Sequence, residues 1–228
     1  MDLDEPILRS LETLHQRFAL AAGPARRFIP EIGPLAGYAG AGSEALRALE
    51  AVTSPGDGVS VFSDEPVAAP PGWEKTLQRD LLQMARENGA PPAEPAGSWQ
   101  DLQAADAPEM LELARLTKPG PFASRTRELG RFVGVREGGR LAAMAGERLR
   151  LPGWTEISAV CTHPRHLGRG HAGRLMTVLL RGVAERGERA FLHVLPENAR
   201  AIAVYERLGF SRRRSFTYAA FRRGAGAS

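Results

Sequence analysis

Apolar positions recur every three or four residues at Ile7, Leu8, Leu11, Leu14 and Phe18, which predicts a helix, and Asp4 and Pro6 suit its start. A weaker helix is expected after Ser43, a short strand over Val59 to Phe62, and another helix through Leu77, Leu81, Leu82 and Met84. Pro24 to Gly42 has no regular period and yields no element. The run Gly89-Ala90-Pro91-Pro92-Ala93-Glu94-Pro95-Ala96-Gly97 cannot hold a helix or a central strand and reads as a linker, dividing the chain into 1–97 and 98–228.

After the linker the order is clearer. Leu102 ends a short strand, and Asp106 caps a helix carrying Met110, Leu111, Leu113 and Ala114. Thr117 to Phe122 breaks that helix. Arg131 to Arg136 and Leu141 to Leu149 flank the turn Glu137-Gly138-Gly139-Arg140 and predict a hairpin. A strand from Glu156 to His163 follows the turn Pro152-Gly153, and a helix from Gly170 carries Leu175, Val178, Leu179 and Val183. A strand over Ala190 to Leu195, a helix over Asn198 to Leu208 and a last strand near Ser215 to Phe221 complete the order. Hairpins first and a βαβ crossover later make the fold class α/β, of the mixed α+β kind.

Composition narrows the function without naming it. Of 228 residues, 43% are apolar and 25% charged, ordinary values for a globular protein. No apolar run approaches the ~20 residues that span a bilayer, and the acidic start Met1-Asp2-Leu3-Asp4 lacks a signal-peptide pattern. A single cysteine, Cys161, excludes an internal disulfide and fits a reducing compartment, so a cytoplasmic location is expected. The pI is near 9.8 but the net charge is only +4. Its arginines are scattered among 26 acids, as in the Arg- and Ala-rich proteins of GC-rich bacterial genomes. Neither a nucleic-acid nor a membrane partner is expected.

The chemistry concentrates between Glu156 and Phe210. The loop Arg165-His166-Leu167-Gly168-Arg169-Gly170-His171-Ala172 runs from a strand into a helix, where free N–H groups and the helix dipole favour a phosphate. Gly168-Arg169-Gly170-His171-Ala172-Gly173 also matches G-x-G-x-x-G, but five residues separate it from its strand and too little chain follows for a dinucleotide fold. No cysteine or carboxylate joins His163, His166 and His171 within the loop, so no metal is expected. Cys161 reads as a buried side chain rather than a nucleophile.

Two motifs in this order carry a resemblance. Arg165-x-x-Gly168-x-Gly170, preceded by a strand ending in His163-Pro164, is followed by Asn198-x-x-Ala201-x-x-x-Tyr205-Glu206-Arg207-x-Gly209-Phe210. On these, residues 98–221 resemble the GNAT superfamily of acyl-CoA-dependent N-acyltransferases, and more loosely its glycine N-acyltransferase-like members. One departure is Leu167, where the family commonly has a basic residue.

The resemblance implies a central mixed sheet flanked by helices. Residues 1–97 are then either a degenerate second half of a duplicated fold, shaping the acceptor pocket, or an independent domain. It implies acetyl-CoA as cosubstrate, with its pyrophosphate on the amides of Arg165 to Ala172 and its pantetheine arm beside Val160, Cys161 and Thr162, touched by Asn198. Glu156 becomes either a general base, direct or through water, or an ion-paired strand residue; Tyr205 becomes the acid that protonates the leaving thiolate. Lys118, Phe122 and Arg125, with Glu156, would grip a small acidic or zwitterionic acceptor such as an amino acid, or another small-molecule primary amine. The alternatives are a protein or peptide amine, or a non-catalytic acyl-CoA sensor or interaction module. The protein would act as a monomer or homodimer.

Overall fold

The computed structural model describes residues 2–40, 42–87 and 91–225. A short helix α1 (Pro6–Glu12) starts with proline at its first turn, where a missing N–H costs nothing. It is followed by three antiparallel strands, β1 (Ala19–Ala22), β2 (Ala25–Phe28) and β3 (Ala36–Tyr38), then helix α2 (Gly42–Arg47). Strands β4 (Gly58–Ser63) and β5 (Trp73–Arg86) end the N-terminal segment. Next come β6 (Gln100–Asp101), α3 (Ala107–Thr117), β7 (Phe132–Glu137), β8 (Arg140–Leu151) and β9 (Trp154–Thr162). The chain closes with α4 (His171–Glu185), β10 (Arg189–Val194), α5 (Ala199–Arg207) and β11 (Ser211–Arg223). No described helix is long and apolar enough to cross a membrane.

The main sheet has eight strands in the order β4-β11-β5-β10-β9-β8-β7-β6, antiparallel except for β9 with β10. On one face α4 and α5 set Leu175, Leu179 and Ile202 against Leu82, Met84, Val135, Ile157 and Leu192. Each such fully buried side chain contributes about 1.5–3 kcal/mol. On the other face Leu3, Ile7 and Leu11 meet Phe28, Trp154 and Phe191, while α3 places Met110 and Leu113 over Met144 and Cys161.

Three N-terminal expectations are corrected. The segment holding Leu77, Leu81, Leu82 and Met84 is strand β5, not a helix. Leu82 and Met84 face one side while Gln83 and Ala85 are buried on the other, so a central strand apolar on both faces mimicked helical spacing. The irregular stretch after Pro24 holds β2 and β3. Helix α1 also stops at Glu12, leaving Leu14 48% exposed and outside the apolar stripe. The Asp106 carboxylate accepts from the Gln103 N–H at 2.7 Å instead of capping α3.

The division near residue 97 does not separate two sheets. Strand β5 lies between β10 and β11, pairing Gln83 with His193 on one edge and Arg214 on the other. The N-terminal segment is tied on further by His15, whose Nε2–H donates to Leu129 O at 2.8 Å, and by Thr126 Oγ1 donating to Ile32 O at 2.6 Å. Gly89 and Ala90 lie outside the described residues. The rest of the linker runs along α4: Arg181 donates to Pro92 O at 2.9 Å, and the Arg174 guanidinium packs where a side chain at Gly97 would stand.

Candidate active site

Strands β9 and β10 pair for only three residues, Arg189 with Trp154, Ala190 with Thr155 and Phe191 with Glu156, and then part. Opposite β8, the register steps from Met144–Cys161 to Gly146–Ser158, so β9 holds one extra residue there. Ala159, in that bulge, has φ 53°, a strained value for a side-chain-bearing residue. A parted parallel pair beside a bulge leaves a slot whose backbone groups lack a strand partner, able to accept an extended chain.

The slot opens toward the glycine loop. After β9, a single 3-10 turn over Pro164–His166 is fixed by His163 Nδ1 accepting from the Arg165 N–H at 3.2 Å. Gly168 and Gly170 then take φ 80° and 77°, which only glycine adopts without strain, and α4 begins at His171. The first N–H groups of α4 have no helical acceptor and meet the dipole's positive end. Leu167 and Arg169 are exposed, and Arg169 reaches Glu137 at 3.8 Å. His171 is 4% exposed, 3.5 Å from Glu137, and burial, then Arg174, lowers its pKa.

Of the strand residues, Val160 packs half-buried on the α4 side, while Cys161 is buried under α3. Burial pushes its thiol up to about 11, which removes thiolate chemistry at neutral pH. Asn198 caps α5 by accepting from the Ala201 N–H at 3.1 Å. Tyr205, half-buried against Phe210 with ring centroids 6.2 Å apart, has its phenol raised to about 12 by burial. It therefore stays protonated at any working pH.

Glu156 is 0% exposed. Arg148 donates to both its oxygens, Nε to Oε2 at 2.8 Å and Nη2 to Oε1 at 2.6 Å, and His193 Nδ1 lies 2.7 Å from Oε1. Burial alone would raise this carboxyl, but Arg148 and then His193 outweigh it and hold it at about 2. Burial lowers the His193 pKa despite Glu156, and Gln83 Nε2 donates to its Nε2 at 3.2 Å. An ionised, doubly paired carboxylate with so low a pKa is a poor proton acceptor, which speaks for the ion-paired alternative for Glu156 over the general base.

The expected acceptor residues do not converge. Arg125 is exposed and turned to Glu128 at 2.9 and 2.8 Å, Phe122 packs edge-on against Phe132, and Lys118 is exposed at the left-handed end of α3. Gly120, between them, comes near Arg148. Arg148 and His193 were missed in the sequence. Counting back across the turn at Pro152-Gly153 brings Arg148 close to Glu156, but a register shift between Glu147 and Arg150 decides the facing. His193 enters through the pairing of β10 with β9, two residues beyond the Phe191–Glu156 pair.

A parallel strand pair forced apart beside an amide-rich helix start defines the layout of a coenzyme-dependent acyltransferase. Comparison with known proteins agrees. Residues 132–219 match the family described as FR47-like protein. The chain is 38% identical over 122 residues to the N-alpha-acetyltransferase RimI of Mycobacterium tuberculosis, covering 49% of this chain and 76% of that protein. A GNAT-family structure from Novosphingobium aromaticivorans matches with TM-score 0.91 and 41% identity, over 98% of this chain and 99% of that one. A GCN5-related N-acetyltransferase from Kribbella flavida shares the fold at 18% identity, with TM-score 0.62 over 96% and 95% of the two chains. The protein belongs to the GNAT superfamily of N-acetyltransferases, enzymes that use acyl-CoA.

Proposed function

We propose that the protein transfers the acetyl group of acetyl-CoA directly to the primary amine of a small molecule, within a ternary complex. The observation that carries this reading is the parted β9–β10 pair, bulged at Ala159, opening onto the glycine loop at α4. The pyrophosphate rests on the amides from Arg165 to Ala172, with Arg165 and Arg169 nearby. The pantetheine arm lies along the backbone of Val160, Cys161 and Thr162, and Asn198 meets it from the start of α5. The bulge supplies an N–H to polarise the acyl carbonyl as the tetrahedral intermediate forms.

The amine nitrogen bonds to the acyl carbon, the carbon–sulfur bond breaks, and Tyr205 gives its proton to the departing thiolate. Glu156 serves as a fixed negative charge that holds Arg148 and His193 beside the slot. The amine attacks in its neutral form, its nitrogen yields the extra proton to water once the carbon–nitrogen bond has formed, and a proton from water restores Tyr205. Similarity to an N-alpha-acetyltransferase favours a second reading, in which the amine is a protein N-terminus.

Calorimetry with acetyl-CoA tests the common part. Wild type is expected to bind, and Gly170→Glu, which sets a carboxylate against the pyrophosphate, is expected not to bind while melting cooperatively. Equal binding by both overturns the assignment.

A further inference from the structure

A cavity of about 660 Å3 opens on the face of the sheet opposite α4 and α5. That volume lies in the range of small-molecule sites. Its walls are α1 through Ile7 and Leu8, β3 through Tyr38, and the end of β4 through Phe62, with Arg214 of β11 on one side. Nearly all of it is therefore built by the N-terminal segment.

Its charge opposes that of the chain. Asp4, Glu5, Asp64 and Glu65 line it beside Arg214; Asp4 is also answered by Arg213 at 2.6 Å, so the cavity's acidity rests on Glu5 and Glu65, in a protein of formal charge +4. Arg214 is held between Asp4 at 3.1 Å and Asp64 at 2.5 Å. Glu5 and Glu65 have no ion-pair partner among the described residues and are exposed at the cavity. Tyr38 and Phe62 add two aromatic rings and Val67 an aliphatic wall. Acids around aromatic rings attract an organic cation and repel a carboxylate.

The floor of the cavity approaches the reaction centre. The Phe62 ring lies 4.6 Å from that of His193, which contacts Glu156 in the last residue pair before β9 and β10 part. We infer that this cavity holds the acceptor, and that the acceptor is an organic cation, a primary amine on an aromatic or aliphatic body without a carboxylate. The inference rests on the acetyl-transfer reading and reverses the expectation of an acidic or zwitterionic acceptor gripped by Lys118, Phe122 and Arg125.

Three probes that share one ring and differ in charge test it: tyramine, tyrosine and 4-hydroxyphenylacetate, titrated by calorimetry into the full chain saturated with coenzyme A. Tyramine is expected to bind at least about tenfold more tightly than tyrosine, and 4-hydroxyphenylacetate to bind weakest. Glu65→Lys, an exposed change, is expected to weaken tyramine about tenfold or more and leave acetyl-CoA affinity unchanged. No tyramine binding, equal binding of all three probes, or a Glu65→Lys protein with wild-type tyramine affinity overturns the cavity as a cation site. Turnover separates the two layers of the inference. If tyramine binds in a Glu65-dependent way but no acetyl-CoA binds, the transfer reading fails and the cation site stands. If amines are acetylated with a KM that Glu65→Lys does not move, transfer stands and the cavity is overturned as acceptor site.

Discussion

Replacing Glu156 by glutamine separates a structural charge from a catalytic base. The carboxylate is fully buried and answers Arg148 through two short hydrogen bonds, with His193 as a third partner. The amide keeps the shape but leaves the guanidinium without a counter-charge, a change that costs about 3–5 kcal/mol for a buried pair. In a chain of this size each kcal/mol moves Tm by about 2–4 °C, so Glu156→Gln should melt about 6–20 °C below wild type. Removing both charges as Arg148→Met with Glu156→Leu should recover most of that loss, because the desolvation of each ion disappears with it. Thermal unfolding followed by circular dichroism reads both. With its pKa near 2, Glu156 should also leave no acid limb in kcat/KM above about pH 5. A glutamine variant that melts within about 2 °C of wild type while kcat falls about 100-fold would refute the structural assignment and restore the base.

Three further outcomes are expected. His15 is 3% exposed, and burial lowers its pKa to about 4, so the unfolded chain takes up the proton first. Its contribution, about 3 kcal/mol, is present above pH 6.5 and lost as pH falls from 6.5 toward 4; denaturant midpoints across that window should show it, and His15→Leu should flatten it. Tyr205→Phe should lower kcat about tenfold or more with acetyl-CoA binding unchanged, as single-turnover and titration data would show; an unchanged kcat removes its role as acid. Deleting residues 1–97 removes β4 and β5 and bares the edges of β10 and β11, so size-exclusion should find the fragment aggregated, and a soluble, active monomer would contradict this.

The second half of the fold was legible because its signals are local. Gly170 before α4, Asn198 capping α5 and the turn at Pro152-Gly153 each fix an element from a few neighbouring residues. The first half was not, because β5 owes its state to distant partners. Its apolar residues satisfy a helical spacing as well as a strand's, and only β10 and β11, more than a hundred residues later, decide between them. In the site, the loop was readable from glycines that need positive φ. Glu156 was found, but not its company, since a bulge in β8–β9 and the β9–β10 pairing bring in Arg148 and His193. The acidic cavity left no sequence signal: its acids come from two stretches of the chain about sixty residues apart.

Sheet order and chain order are interleaved in this protein. Strand β5 sits between two strands that are made last, so a ribosome releases the middle of the sheet before either of its flanks. A protease cutting the segment along α4 would sever the polypeptide without parting the molecule, because both products hold strands of one sheet. The two products, made separately, are a natural pair for reconstitution: neither alone contains the whole sheet, and meeting is what creates the enzyme.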